Sequence, residues 1–332
     1  MMDIPREERI LMGLFFCSNK SNEILENLKP EWNDKVELQL EQKLSIFDFP
    51  FSISDVFPWK KELSEGVDDE KFCGSFFVQP EVFLRLRPGN EEKVKVKLEN
   101  AGIDFKVISG NCIALSNSSK VDTIIELNRE AVVQDHNSQQ TGELFLNYKP
   151  QTANPKLSLW DCCAASGGKS IMAKDILGDI DLTVSDIRES ILINLKKRFK
   201  EAGIINYKSF VADLTDPKFK IQNSKFDIIL CDAPCTGSGT WSRTPEQLFY
   251  FDENEIEEYA VKQKKIVSNI IPALKPGGHL IYITCSVFKK ENEAVVEFIE
   301  KEFQLKQIKT DVLKGYHKKA DTMFAALLRK PL

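Results

Sequence analysis

The sequence lacks any long uncharged apolar segment. A helix that crosses a bilayer needs about 20 consecutive apolar residues, and no such run occurs among the 332 residues. The first residues, MMDIPREERILMGLFF, place acidic side chains ahead of a short apolar run, the reverse of a secretory signal. These absences exclude a helical membrane span, and we expect a cytoplasmic protein.

Histidine is scarce, and no two cysteines stand in a CxxC pair. The three histidines, His136, His279 and His317, are scattered along the chain. Zinc ligands usually recur at short fixed spacings, so the sequence predicts no metal site. The eight cysteines also lack the spacing of a small disulfide-linked domain. They predict reduced thiols in a reducing compartment.

A strong excess of either charge is absent, because the net charge is only −5. Residues 1–70 hold 16 acidic and 8 basic side chains, whereas the rest of the chain is slightly basic. The acidity therefore belongs to the N-terminal part. The remainder has enough cations for a groove that binds an anionic polymer.

Residues 1–74 predict a small helical segment. Ile10, Leu11, Leu14 and Phe15 recur at helical spacing, and EWNDKVELQLEQKL predicts a second helix. No chemistry-bearing motif occurs here. We interpret this segment as a packing module.

Residues 75–133 predict a small α+β domain. VFLRLRP, FKVIS, CIALS and AVVQD are typical of strands, while NEEKVKVKLENAG and VDTIIEL are typical of helices. The resulting order, β-α-β-β-α-β, is that of ferredoxin-like and RNA-recognition (RRM-like) domains. Contact with RNA and a plain solvated surface are equally good interpretations of its cations, which are Arg85, Arg87, Lys93, Lys95 and Lys97.

From residue 157 onward, strands and helices alternate. LSLWD, LTVSD, SFVAD, FDIILCD and HLIYITC are typical of strands, with helices predicted from Lys169, through ILINLKKRFKEAG, and over 255–274. Alternation of this kind predicts a parallel sheet covered by helices on both faces. The predicted fold class is therefore α/β, with the main domain over 134–332.

Four consecutive predicted strands of this domain end in an aspartate: Asp161, Asp186, Asp213 and Asp232. In open α/β sheets, ligands bind outside the carboxyl ends of the strands. A single aspartate at a strand end is usually a turn residue. Four in succession favour a binding site.

The loop after the first of these strands, DCCAASGGKS, resembles a ligand-binding turn. Gly167 and Gly168 allow the backbone to approach a ligand, and the helix that follows adds its positive end. A phosphate-binding Walker loop would need glycine where Cys163 stands, and the three-glycine dinucleotide fingerprint is absent. The loop therefore predicts a ligand without a phosphate cradle.

The next two strand-end aspartates complete an adenosine pocket. Asp186 is placed for a ribose hydroxyl pair, and Asp213 for an adenine amino group. S-adenosylmethionine fits such a pocket better than ATP or NAD. The predicted cofactor-binding residues are Cys163, Ala164, Ala165, Ser166, Gly167, Gly168, Lys169, Asp186, Asp213 and Asp232.

DCCAASGGKS, DAPCTGSGT, the RTPE that follows and GGHLIYITCSVFKKENE resemble the Sun/Fmu family of RNA cytosine-5 methyltransferases. The resemblance covers roughly residues 75–330, including VVQDHNSQQ, and DAPCTG with TCS forms its most specific pair. It implies a Rossmann-like methyltransferase domain over 134–332. Two departures occur: Ser166 replaces a usual proline, and ADTMFAALL only partly matches the closing strand. The first is expected to loosen cofactor binding.

The chemistry of that family explains the thiols. Carbon 5 of cytosine is too weak a nucleophile to attack a sulfonium methyl group, but a thiolate that adds to carbon 6 activates it. Asp232 fits a contact with the ring nitrogen or amino group. The residues alone do not decide whether Cys235 or Cys285 is the attacking thiol. Other cytosine-5 enzymes place the nucleophile in a Pro-Cys motif, which would favour Cys235. The Sun/Fmu resemblance implies that Cys285 attacks and Cys235 helps product release.

The resemblance also implies an RNA substrate, most readily ribosomal RNA. Transfer RNA is an alternative, as is an RNA-binding ribosome-assembly factor with little turnover, and we expect a monomer. Lys169 is predicted to contact the cofactor or RNA, with a solvated helix start as the alternative. The ENE at 291–293 is most simply a helix start. Further candidate phosphate contacts are Lys196, Lys197, Lys289 and Lys290.

Overall fold

The N-terminal segment is helical but more broken than its sequence predicts. The computed structural model describes residues 4–47, 52–146, 156–221 and 225–332, so residues 1–3 and 48–51 of the predicted segment lie outside the description. The predicted helix over 31–44 is wrong, because turns separate two short helices and Gln39 starts the second with a capping box. The helices are α1 (Arg6–Cys17), α2 (Glu23–Leu28), α3 (Pro30–Asn33), α4 (Leu40–Leu44) and α5 (Asp69–Gly74).

A four-stranded antiparallel sheet follows. Its elements are β1 (Val82–Leu86), α6 (Glu91–Asn100), β2 (Phe105–Ser109), β3 (Cys112–Leu115) and β4 (Ala131–Val133). The strand order β2-β3-β1-β4 is the one that a split βαβ arrangement requires. The predicted helix over VDTIIEL is wrong, however, because residues 121–127 form turns. The ferredoxin-like assignment therefore remains a prediction.

The missing helix has a local cause. Val121 and Ile125 are buried four residues apart, which imitates a helical face. The Glu126 N–H donates to the carboxylate of Glu130, at 2.9 Å. In an α-helix it would donate to the carbonyl four residues earlier. Glu130 is itself buried and holds Lys93 and Lys97.

The main domain is a seven-stranded mixed sheet of order β10-β11-β9-β8-β5-β6-β7. The five strands from β9 to β7 are parallel, and the two at the other edge are antiparallel. The predicted α/β class is confirmed. The strands are β5 (Leu157–Asp161), β6 (Ile180–Asp186), β7 (Tyr207–Val211), β8 (Phe226–Asp232), β9 (Leu274–Thr284), β10 (Lys306–Leu313) and β11 (Met323–Arg329).

Helices cover both faces of this sheet. One core contains Ile171, Leu195 and Phe199, while the other contains Val267 and Ile299. Across the described residues, no helix combines the length and apolar character needed to cross a bilayer. The helices are α7 (His136–Gln140), α8 (Glu143–Leu146), α9 (Gly168–Leu177), α10 (Glu189–Glu201), α11 (Gln247–Tyr250), α12 (Asn254–Ile270) and α13 (Glu293–Phe303).

Buried ion pairs join the small sheet to the main domain. Arg85 of β1 and Arg87, the residue that follows this strand, both bind Asp175 of α9, at 2.6 and 2.7 Å. Arg85 is only 3% exposed, and Arg87 also donates to the carbonyl of Ala202. This burial contradicts the predicted RNA contact at Arg85 and Arg87. Their guanidinium groups hold two parts of the fold together.

An aromatic cluster joins the N-terminal segment to the main domain. Phe57 stacks on Phe288, with ring centroids 5.7 Å apart, and also packs near Trp241. The Ser64 N–H donates to the carbonyl of Val287 at 2.8 Å. The segment therefore supports the chain that follows β9.

Candidate active site

The site lies where the strand order changes direction. The chain passes from β5 to β6 and β7 on one side, then returns to β8 and β9 on the other. Loops at the carboxyl ends of β5 and β8 therefore diverge and leave a crevice between them. All of the predicted cofactor and catalytic residues follow strands that end at this edge.

The loop after β5 turns sharply into α9. Gly167 caps the helix with φ +84°, and a Cβ there would lie 2.6 Å from the ring of Phe199. Only glycine fits this position without a shift of the neighbouring helix. Gly167 is thus needed for the sharp turn of this loop. The position where a Cβ would stand faces the core, at Phe199 and Leu195.

Asp186 fixes the loop rather than projecting freely into solvent. It is 6% exposed and accepts hydrogen bonds from the N–H groups of Ala165 and Arg188, at 3.0 Å each. Ser166, which stands where the resemblance expects proline, is bound by Arg198 through both its hydroxyl and its carbonyl. A side chain from α10 thus restrains this position in place of a proline ring.

Two cavities meet at the catalytic candidates. One is a cleft of about 460 Å³ lined by Cys163, Asp186, Asp213 and Pro234, and the other measures about 310 Å³ and is lined by Ser166, Gly168 and Lys169. Both are large enough for a small ligand or a nucleobase. The residues that line both cavities are Cys163, Ala165, Asp232 and Cys285.

The larger cavity fits an adenosine-containing cofactor. Asp186 and Asp213 supply carboxylates at its wall, and Ala212 and Pro234 supply apolar surface for a planar ring. Asp213 is exposed at the rim, where hydrogen bonds from Thr215 lower the pKa of its carboxyl. Carboxylates without a row of free N–H groups suit ribose hydroxyls and disfavour phosphates.

The two candidate thiols are neighbours. Cys235 follows β8 and Cys285 follows β9, which are parallel partners in the sheet, and their sulfur atoms are 3.3 Å apart. The hydrogen bond with Cys285, burial and the charge of Glu291 raise the pKa of the Cys235 thiol well above its ordinary value. Cys235 therefore keeps its proton at neutral pH.

Lys169 and Asp232 form an ion pair at the junction of the cavities. Their charged atoms are 2.7 Å apart, and the Lys169 side chain is only 12% exposed. Burial lowers the pKa of Lys169, but the charge and hydrogen bond of Asp232 outweigh it and raise the pKa overall. This burial contradicts the alternative of a solvated helix start. Lys169 belongs to the site.

Asp161 lies beneath this pair and was not predicted as a site residue. Burial raises the pKa of its carboxyl to about 7, and Ser170 donates to one carboxylate oxygen at 2.6 Å. The other oxygen has no hydrogen-bond partner within the part of the chain that the structure describes. Asp161 also lines the smaller cavity, where it adds to the acidic character of the wall.

Glu291 is a second residue near the thiols that the sequence did not predict as part of the site. It is fully buried, and burial raises the pKa of its carboxyl. It accepts bonds from Thr236, next to Cys235, and from Ser286, next to Cys285. The ENE motif carried the signal, but the helix-start interpretation applies only to Glu293, which lies in the first turn of α13.

The predicted phosphate contacts lie outside both cavities. Lys196 and Lys197 are exposed on α10, whereas the Lys289 ammonium donates to the carbonyl of Lys61. Lys290 lies near Glu62 and Glu257. Of the four, the two on α10 have the more open surroundings.

The open α/β sheet, the adenosine-sized cleft at its switch point and the facing carboxylates define an S-adenosylmethionine-dependent methyltransferase of Rossmann-like fold. A family model described as 16S rRNA methyltransferase RsmB/F matches residues 146–328. Because the match covers more than half of the chain, the protein belongs to that family. The predicted Sun/Fmu relationship and the predicted cofactor are confirmed at this level.

Individual relatives agree with this assignment. The probable ribosomal RNA small subunit methyltransferase B of Synechocystis sp. is 28% identical over 269 residues, which cover 77% of this chain and 58% of that protein. The chain thus spans little more than half the length of this curated relative.

Solved structures support the fold. The structure of PH0851 is 24% identical, with a TM-score of 0.70, and the match covers 92% of this chain and 75% of that one. NSun6 from Pyrococcus horikoshii, solved with SFG, is 16% identical, with a TM-score of 0.70, over 85% of this chain and 98% of that one.

Proposed function

We propose that this protein methylates carbon 5 of a cytosine in RNA through a covalent adduct with Cys285. The observation that carries the proposal is the 3.3 Å separation of the Cys235 and Cys285 sulfurs beside the Lys169–Asp232 pair. A thiol pair at the junction of a cofactor-sized and a base-sized cavity suits addition to a pyrimidine followed by elimination.

Each residue has a role in this proposal. S-adenosylmethionine supplies an electrophilic methyl group when it is bound. The Cys285 thiolate adds to carbon 6 of the cytosine, which makes carbon 5 nucleophilic. Asp232 accepts from the cytosine amino group, while the Lys169 ammonium stabilises negative charge that develops on the ring. After methylation the carbon 5 proton passes to solvent, and its bonding electrons re-form the double bond between carbons 5 and 6. The bond between carbon 6 and Cys285 breaks, Cys285 leaves as a thiolate, and the protonated Cys235 thiol assists by donating a hydrogen bond to it.

The substrate is proposed to be ribosomal RNA, because the matching family and curated relatives carry that description. The base must enter the smaller cavity, so a cytosine within a stem would have to flip out of its stack. The exposed Lys196 and Lys197 are proposed to contact phosphates. Transfer RNA remains the alternative substrate, and the same assay distinguishes it.

Adduct trapping tests the proposal. Wild-type protein, Cys235→Ala and Cys285→Ala are incubated with total cellular RNA and labelled S-adenosylmethionine, with the exposed Cys17→Ala as the matched control. We expect Cys235→Ala to accumulate a covalent RNA–protein adduct and Cys285→Ala to give neither adduct nor methylated cytosine. Sequencing of the trapped RNA identifies the substrate.

Other outcomes would change the conclusion. If Cys285→Ala accumulates the adduct instead, the two thiols have exchanged roles. If the trapped RNA is transfer RNA, the ribosomal substrate is wrong. If wild-type protein and Cys17→Ala leave every RNA fraction unmodified, the protein is better described as an RNA-binding assembly factor.

A further inference from the structure

Three cysteines outside the proposed reaction meet at the floor of the cofactor cleft. Cys162 and Cys163 follow β5, and Cys231 is near the end of the neighbouring strand β8. Their three sulfur atoms all lie within 4.8 Å of one another. The spacing along the sequence gives no sign of this group, because the pairing of β5 with β8 brings it together.

The separation suits a shared metal ion. Three sulfurs that each lie 2.3 Å from one ion are about 3.8–4.0 Å apart. The observed cluster needs a contraction of at most about 1 Å to reach this geometry. Soft thiolate ligands select zinc, cadmium and monovalent copper over magnesium or calcium.

The cluster is reachable from the cofactor cleft. Cys162 and Cys163 line the larger cavity, so an ion can enter from the cofactor side, while Cys231 is fully buried behind them. The thiols lose their protons as the ion binds.

We propose that Cys162, Cys163 and Cys231 bind one thiophilic metal ion as thiolates, with its fourth coordination position open to the cofactor cleft. Each bound divalent ion releases the thiol protons to solvent and changes no oxidation state. Binding draws Cys163 toward Cys231 and shifts the loop whose Ala165 N–H is held by Asp186. Ion and cofactor therefore exclude each other, a consequence that rests on the proposed use of this cleft.

Titration with Cd²⁺ tests the site, because cadmium thiolates absorb in the ultraviolet. The Cys235→Ser/Cys285→Ser background removes the other thiol pair. We expect one Cd²⁺ per chain, with an affinity that falls roughly tenfold or more in Cys163→Ser. Cys162→Ala and Cys231→Ala are expected to behave alike. The matched control is Cys73→Ala, a buried thiol in the N-terminal segment, which is expected to bind Cd²⁺ normally.

The result that overturns the site is Cd²⁺ uptake that is absent, or that Cys163→Ser leaves unchanged. Cys163 is only partly buried, so this variant keeps the core intact even where the other two do not fold. A second titration measures S-adenosylmethionine affinity with and without saturating Cd²⁺. Cd²⁺ binding without any loss of cofactor affinity overturns the exclusion alone, and neither measurement depends on methylation of RNA.

Discussion

At the scale of single residues, Glu291 couples the two thiol loops. One carboxylate oxygen accepts from the Thr236 N–H and the Gln263 amide. The other accepts from the hydroxyl groups of Thr236 and Ser286. In Glu291→Gln the amide oxygen can face the N–H donors while the amide nitrogen faces the hydroxyls, which rotate to accept. The substitution therefore removes charge and keeps shape.

We expect Glu291→Gln to lower the pKa of Cys235, since the Glu291 charge helps to raise it. The measurement is the pH dependence of alkylation of Cys235 in a Cys285→Ala background. Glu293→Gln is the matched control, because Glu293 bonds to Ser64 instead. An unchanged alkylation profile in Glu291→Gln would refute the electrostatic role.

Gly239, in the loop after Cys235, packs closely against the backbone of Thr322 just before β11. A Cβ at this position would lie 1.9 Å from the carbonyl oxygen of Thr322, a backbone atom that cannot move alone. We expect Gly239→Ala to lower the free energy of unfolding by about 1–3 kcal/mol or more and to abolish methyl transfer. Chemical denaturation checks this, with Gly110→Ala, which meets open space, as the control. Equal stability of the two variants would contradict the prediction.

The strand-end aspartates show what sequence could predict of the site. Asp186, Asp213 and Asp232 were predictable because a strand and its final carboxylate are adjacent in sequence. Glu291 was not, because its role depends on bonds to a loop that precedes it by about 55 residues. The cysteine cluster was missed for the same reason, since strand pairing creates it.

At the scale of secondary-structure elements, Asp175 joins β1 to α9. We expect Asp175→Ala to destabilise the fold by about 3–5 kcal/mol, because the buried guanidinium of Arg85 and the partly buried one of Arg87 lose their counter-charge. Asp179→Ala, whose carboxylate is exposed beside Lys156, should cost at most about 1 kcal/mol. Urea denaturation of both variants compares them. Similar losses would show that burial of Asp175 does not matter.

The Glu130 pairs make the small sheet sensitive to acid. Burial raises the pKa of Glu130, but hydrogen bonds from Lys93 and Lys97 outweigh it and lower the pKa to about 2. A lowered carboxyl pKa stabilises the fold above the ordinary value of 4.5, and this contribution is lost as the pH falls toward 2. We expect it to be about 1–3 kcal/mol, because the lysines are partly exposed.

Glu130→Gln tests this dependence. The variant should be less stable than wild type above pH 4.5 and should lose less stability between that pH and 2, as followed by denaturant titration. Parallel curves for the two proteins would contradict the sign. Glu126→Gln, at an exposed position, serves as the control.

Elements were predictable where local pattern and tertiary contacts agree. Three of the seven strands of the large sheet, β5, β6 and β8, are apolar runs that end in aspartate, so periodicity identified them. The strand β10 was not predicted, because it lies at an edge and most of its side chains are exposed. The helix expected over 121–127 failed because the nearby buried carboxylate of Glu130, which Lys93 and Lys97 hold, accepts from the Glu126 N–H.

At the scale of the whole molecule, the N-terminal segment supports the active site without contributing chemistry. Phe57 is fully buried against Phe288, three residues beyond Cys285. We expect Phe57→Ala to cost about 3–5 kcal/mol of stability and to reduce methyl transfer. Thermal unfolding and the RNA methylation assay measure the two effects. Phe249→Ala, at a side chain that is 84% exposed, should leave stability unchanged. A similar loss of stability in Phe249→Ala would show that burial of Phe57 is not the cause.

The ion pairs at Asp175 also bear on how the chain comes apart. If the polypeptide were divided after residue 133, one fragment would retain the two arginines and the other the carboxylate that they share. We therefore expect neither piece to fold independently, even though each has its own hydrophobic core. Unfolding is then expected to be cooperative across the predicted boundary at 133.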